Sequence, residues 1–120
     1  MRSSSVFQWE HSLRERIAVA EEILKDSADG EKIPVVVERV TRSDLEPIRT
    51  KEHGIPVNWT YMRFKMFVRR VLRLKPEETI VCIIDDTIPP ATATMGDIYR
   101  NHAQEDKLLY CHYCEESVFG

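Results

Sequence analysis

The carboxyl end of this chain is Gly120, preceded by Glu115-Glu116-Ser117-Val118-Phe119. A carboxylate with no side chain beside it is the least hindered acyl donor a polypeptide offers, since a narrow cleft can close around it. Six residues extending from the folded body would span about 20 Å, far enough to enter another protein's active site. Two other groupings hold reactive residue types. Cys111-His112-Tyr113-Cys114 has zinc-knuckle or redox spacing, but in an alternating strand residues three apart point to opposite faces. No second Cys/His pair stands at ligand spacing, so neither a metal nor a cofactor is expected. Asp85-Asp86, just before Ile88-Pro89-Pro90, read as turn residues rather than an acid–base pair. No nucleophile–base pair or phosphate loop is visible, and the chain is not expected to be an enzyme.

Something must hold that end out for reaction. At 120 residues the chain makes one unit, able to bury about two-thirds of its unfolded surface. Hydrophobic content of 42% and charged content of 31% belong to a globular chain rather than a disordered one. The net charge of −3 is unevenly spread: residues 1–75 hold 15 Lys and Arg against 11 Asp and Glu, and residues 76–120 hold 2 against 9. A basic front and an acidic rear favour oriented docking, and the net charge argues against nucleic acid as a partner. The three cysteines are expected to stay reduced. No signal peptide is visible, since Met1 to Val6 is polar and no apolar stretch follows it, and the longest apolar run, Ile80 to Ile84, is too short to span a bilayer.

Residues 1–8 read as frayed. Ser12 with Glu15 makes a capping box for a helix whose stripe is Leu13, Ile17, Ala20 and Leu24, flanked by Ile23. Ile33 to Val40 is β-branched and strand-like, with Pro34 near its start. Thr50 to Val57, with Gly54, Pro56 and few apolar residues, reads as an edge strand. Thr60 caps a helix with Phe64, Phe67, Val68, Val71 and Leu72 on its core face and Arg63, Lys65, Arg69, Arg70 and Arg73 on the other. Thr79 to Ile84 is a buried strand, Thr94 with Asp97 opens a helix through His102, and Lys107 to Cys114 is the last strand. Two strands followed by a crossover helix predict a parallel pair in the sheet's middle. The layout is α+β: a ubiquitin-like β-grasp, a four-stranded mixed sheet over a central helix. Residues 1–32 form an N-terminal helical extension, and residues 33–120 form the ubiquitin-like domain with a flexible C-terminal tail, in a single structural unit.

Three motifs now converge. Ile88-Pro89-Pro90-Ala91-Thr92-Ala93-Thr94-Met95-Gly96-Asp97-Ile98-Tyr99, Ile33-Pro34-Val35-Val36-Val37-Glu38 and the closing Glu116-Ser117-Val118-Phe119-Gly120 resemble the ubiquitin-like autophagy modifiers, the autophagy-related protein 8, GABARAP and light-chain-3 family. The resemblance runs from about Phe7 to the last residue. It implies activation of Gly120 by E1-like and E2-like enzymes as successive thioesters, then transfer to the amino group of phosphatidylethanolamine on the autophagosome membrane. No trimming would precede activation, and a cysteine protease would later remove the lipid. The protein would be cytoplasmic, and on the autophagosome membrane when lipidated.

The resemblance also implies recognition of receptors and adaptors that bear short aromatic-acidic motifs, added as a strand to the exposed sheet edge. By motif, the first pocket maps to Ile23, Pro34, Val36, Gly54 and Leu108, and the second to His53, Ile55, Pro56, Trp59, Phe64 and Phe67. Lys32, Lys51, Arg69 and Arg70 map to contacts with the partner's acids. Apolar residues of this kind serve as core as readily as surface. Where the family has a Lys-Tyr-Leu-Val-Pro run, this chain has Glu52-His53-Gly54-Ile55-Pro56, and Trp59 stands in place of a smaller aliphatic residue. An altered peptide preference is expected. Without conjugation, the same surface would make a soluble peptide-binding adaptor in vesicle trafficking or at the cytoskeleton.

Overall fold

The computed structural model describes residues 5–119. Its nine elements are α1 (Val6–Glu10), α2 (Leu13–Lys25), β1 (Lys32–Arg39), β2 (Glu52–Pro56), α3 (Tyr61–Leu72), β3 (Ile80–Ile84), α4 (Met95–His102), β4 (Leu109–Glu115) and α5 (Glu116–Phe119), with a 3₁₀ turn at Ala28–Gly30. The strands form one sheet in the order β2-β1-β4-β3. β1 and β4 run parallel at its centre, and the two outer pairs are antiparallel. This is the mixed β-grasp sheet expected from the chain order. Pro34 precedes Val35, the first residue of β1 paired with β4, so its missing N–H breaks no ladder bond there.

Strand alternation divides the core. Ile33, Val35 and Val37 join Phe64 and Val68 of α3, together with Leu109, Cys111 and Tyr113 of β4. Val36 and Tyr110 face the other way, into a smaller cluster with Leu108, Phe7 and Ala20 under α1 and α2. The cysteines follow the same rule: Cys111 lies in the main core, and Cys114 lies with Val81 and Ile83 in a third cluster. Each helix start is capped as its residue type dictates. Ser12 and Glu15 complete a capping box, Thr60 Oγ1 accepts the Arg63 N–H, and Thr94 Oγ1 accepts the Asp97 N–H. Asp85 and Asp86 adopt positive φ in the turn after β3, a conformation that Asp tolerates better than most residues.

Three sequence readings need correction. Residues 5–8 are not frayed: Phe7 is 1% exposed, and Ser5 caps α1 by accepting the Gln8 N–H. The side chain of Glu38 organises this start, accepting the Phe7 N–H at 2.8 Å and the Ser5 hydroxyl. Residues 1–4 lie outside the described residues. Leu13 is 40% exposed, so the stripe on α2 buries Ala20 fully and leaves Leu13 out; Phe7 supplies the large side chain on that face. Finally, the chain does not run out extended after Cys114. β4 continues to Glu115, whose carboxylate accepts the Ser43 hydroxyl and the Asp44 N–H, and Glu116–Phe119 close into one helical turn.

Candidate functional site at the sheet edge

β2 is an edge strand. The Val37 N–H donates to the Lys51 carbonyl and the Val57 N–H to the Glu31 carbonyl, each at 2.8 Å. In an antiparallel ladder with this register, odd-numbered residues of β2 turn their backbone groups toward β1 and even-numbered ones turn theirs away. The open margin therefore presents the N–H and C=O of Glu52 and Gly54 and the C=O of Pro56. Pro56 has no N–H to offer, so the row of donors ends there.

Side chains alternate across the same strand. Glu52 and Gly54 face α2, and His53 and Ile55 face α3. On the α2 side an open groove of about 430 Å³ runs between the helix and the strand, lined by Ala18, Val19, Glu22, Ile23, Glu52 and Gly54. A Cβ on Gly54 would stand 3.1 Å from Ile23 Cγ2 and 3.5 Å from Lys32 Cδ, so Ile23 and the Lys32 stem close over the bare backbone. Of the first-pocket residues, Ile23 and Gly54 thus meet at the surface. Pro34 is buried, paired in register with Gly54. Val36 and Leu108 are 0% exposed, which makes them the floor beneath the groove rather than its lining. Ala18, Val19 and Glu22 were not singled out from the sequence; their spacing of i, i+4 with Glu22 and Ile23 is the available signal.

On the α3 side the rings form a row. Phe67 has His53 edge-on at 5.3 Å and Trp59 tilted at 5.7 Å, and the Arg63 guanidinium lies 4.8 Å over the Trp59 ring. His53 is fixed by Nε2 against the Thr50 carbonyl at 2.7 Å. Ile55 and Phe64 are buried beneath, and Pro56 is half-buried. Trp59 is held from behind, since its carbonyl accepts the Met95 N–H and the Gly96 N–H donates to Val57. Glycine eases that approach: a Cβ on Gly96 would lie a tight 3.2 Å from the Val57 carbonyl oxygen.

The four cations mapped to acidic contacts divide. Lys51 Nζ pairs with Glu38 Oε2 at 3.3 Å. Arg69 donates to the carbonyls of Lys75 and Glu78, tying the end of α3 to the following loop. Lys32 and Arg70 are exposed. Glu38, 3% exposed, is pushed up by burial, but this is outweighed by His112, the Ser5 hydroxyl and the Phe7 N–H, which hold its carboxyl down at about 2. Gly120 lies outside the described residues.

Among the described residues, no helix is long and apolar enough to cross a membrane, and no group of three or more His, Cys, Asp or Glu is placed to hold a metal.

Comparison with known proteins gives one consistent likeness. The family described as "Autophagy protein Atg8 ubiquitin like" matches residues 15–120. Proteins named Autophagy-related protein 8 from Neosartorya fischeri and Aspergillus niger are each 38% identical over 116 residues, which is 97% of this chain and 97% of theirs. The crystal structure of Trypanosoma brucei ATG8 is similar with a TM-score of 0.87 at 26% identity, covering 94% of this chain and 96% of that one.

Proposed function

The chain belongs to the Atg8 ubiquitin-like autophagy family, and on that premise we propose that it is a modifier joined through Gly120 to phosphatidylethanolamine. The observation that carries this reading is the family match reaching through residue 120. E1-like and E2-like enzymes would pass the glycyl carbonyl from thiol to thiol and then to the lipid amine, and a cysteine protease would reverse the last step. This chain supplies the carbonyl and no catalysis, because the reactive thiolates belong to the partners. A single acyl chain anchors only marginally. The two chains of a phospholipid, at about 0.8 kcal/mol per buried CH₂, hold stably.

Recognition is the second half of the reading. A partner segment adds beside β2, using the outward backbone groups of Glu52 and Gly54. Its apolar side chains enter the groove at Ile23 and Gly54 and meet the ring row of His53, Trp59 and Phe67. Acids of an aromatic-acidic motif can reach Lys32 and Arg70, the two exposed cations of the mapped set. The protein would move between the cytoplasm and the autophagosome membrane, recruiting receptors or adaptors there.

The test is the intact mass of the protein in the membrane fraction of starved cells. A phospholipid adduct, lost in Gly120→Ala, is the expected result. Unmodified protein, with wild type and Gly120→Ala distributed alike, would instead favour a soluble adaptor.

A further inference from the structure

The groove between α2 and β2 is apolar at its base and acidic at its rim. Val19, Ile23 and Ala18 face the Gly54 backbone, while Glu22 from the helix and Glu52 from the strand supply carboxylates. Glu22 is exposed and Glu52 half-exposed, so both carboxylates are within reach of a guest. Two of the mapped cations are engaged elsewhere: Lys51 is drawn to Glu38, and Arg69 is bound to loop carbonyls. Lys32 borders the groove through its aliphatic stem.

We propose that the partner strand accepted by this edge carries a lysine or arginine next to the aromatic or large aliphatic side chain that fills the α2 groove. The inference rests on the reading of β2 as a strand-accepting edge and adds the charge of the guest. A long basic side chain suits the site, since its methylenes can lie along Val19 and Ile23 while its cation reaches Glu22 or Glu52. An acid at the same place would meet two like charges, which is how an interface rejects a wrong partner. Acids farther along the guest remain compatible with Lys32 and Arg70.

The experiment titrates the full chain with labelled extended peptides, followed by anisotropy. The peptides share one aromatic and one aliphatic anchor and differ only beside the aromatic, in lysine, glutamate or serine. A fourth has the lysine but no anchors. The lysine peptide should bind about five- to tenfold more tightly than the glutamate peptide at low salt, the size expected of two solvent-exposed ion pairs. That advantage should shrink at about 0.5 M salt and reverse in the Glu22→Lys, Glu52→Lys double variant. Equal binding of the lysine and glutamate peptides, or preference for glutamate, overturns the inference but leaves the edge reading standing. So does equal binding by the anchorless peptide, which would mean surface attraction alone. Failure of every anchored peptide to bind overturns the edge reading and the inference with it.

Discussion

Lys51 Nζ lies 3.3 Å from Oε2 of Glu38, joining the approach to the edge strand to the carboxylate that fixes the amino-terminal helix. Glu38 also accepts the Ser5 hydroxyl and the Phe7 N–H. One carboxylate thus ties three parts of the chain together. It also withdraws a cation from the surface, leaving Glu52 to set the charge of the neighbouring edge.

Stability should fall with acid through this group. Its folded pKa of about 2 lies below the ordinary value of 4.5, so the folded state holds fewer protons than the unfolded one. The stabilisation is complete above about pH 4.5 and is lost as pH falls toward 2. Burial is outweighed by His112, the Ser5 hydroxyl and the Phe7 N–H, and the resulting shift corresponds to a contribution on the order of 3 kcal/mol. Glu115, held below its usual range by the Ser43 hydroxyl, titrates in the same direction, so the informative comparison is with Glu38→Gln. Urea midpoints measured from pH 7 to pH 3 should fall more steeply for wild type than for that variant. Parallel curves would contradict this account of Glu38.

Phe7→Ala should cost about 3–4 kcal/mol in chemical denaturation, the usual penalty for truncating a fully buried phenylalanine. Its ring is 1% exposed and packs with Ala20, Val36, Leu108 and Tyr110. A loss below about 1 kcal/mol would mean that α1 does not belong to the cooperative unit.

Gly54→Pro separates the outward face of the edge from its inward one. The Gly54 N–H points away from β1, so proline removes a docking donor without removing a ladder bond. The Ile23 methyl must give by a few tenths of an ångström, and the expected cost in thermal stability is about 1 kcal/mol. Peptide binding should weaken at least about tenfold by titration. Unchanged affinity in a folded variant would show that guests do not pair with this strand.

The fold was largely legible because its signals are local or strictly periodic. Ser12 with Glu15, Thr60 and Thr94 mark helix starts by their own hydrogen bonds. Gly54 and Pro56 mark a margin because neither suits the middle of a sheet. What escaped was tertiary. α1 has five residues, too few to be stable alone, and its docking depends on Glu38, 31 positions away from Phe7. The same distance hides why Leu13 stays exposed, since Phe7 enters the core from outside the helical stripe. The groove was half legible. Ile23 and Gly54 could be paired by resemblance, but burial of Val36 and Leu108 and the convergence of Glu22 with Glu52 depend on how α2 lies across the sheet.

The brevity of the open margin has a consequence for crowding. An unprotected sheet boundary invites identical molecules to stitch themselves into aggregates, and attachment to a shared surface would raise that danger by concentrating them. Here the free donors number two before proline interrupts them, with a glutamate at the other end. Such a boundary has room for a brief visitor and offers few donors to a second copy of the chain at this edge.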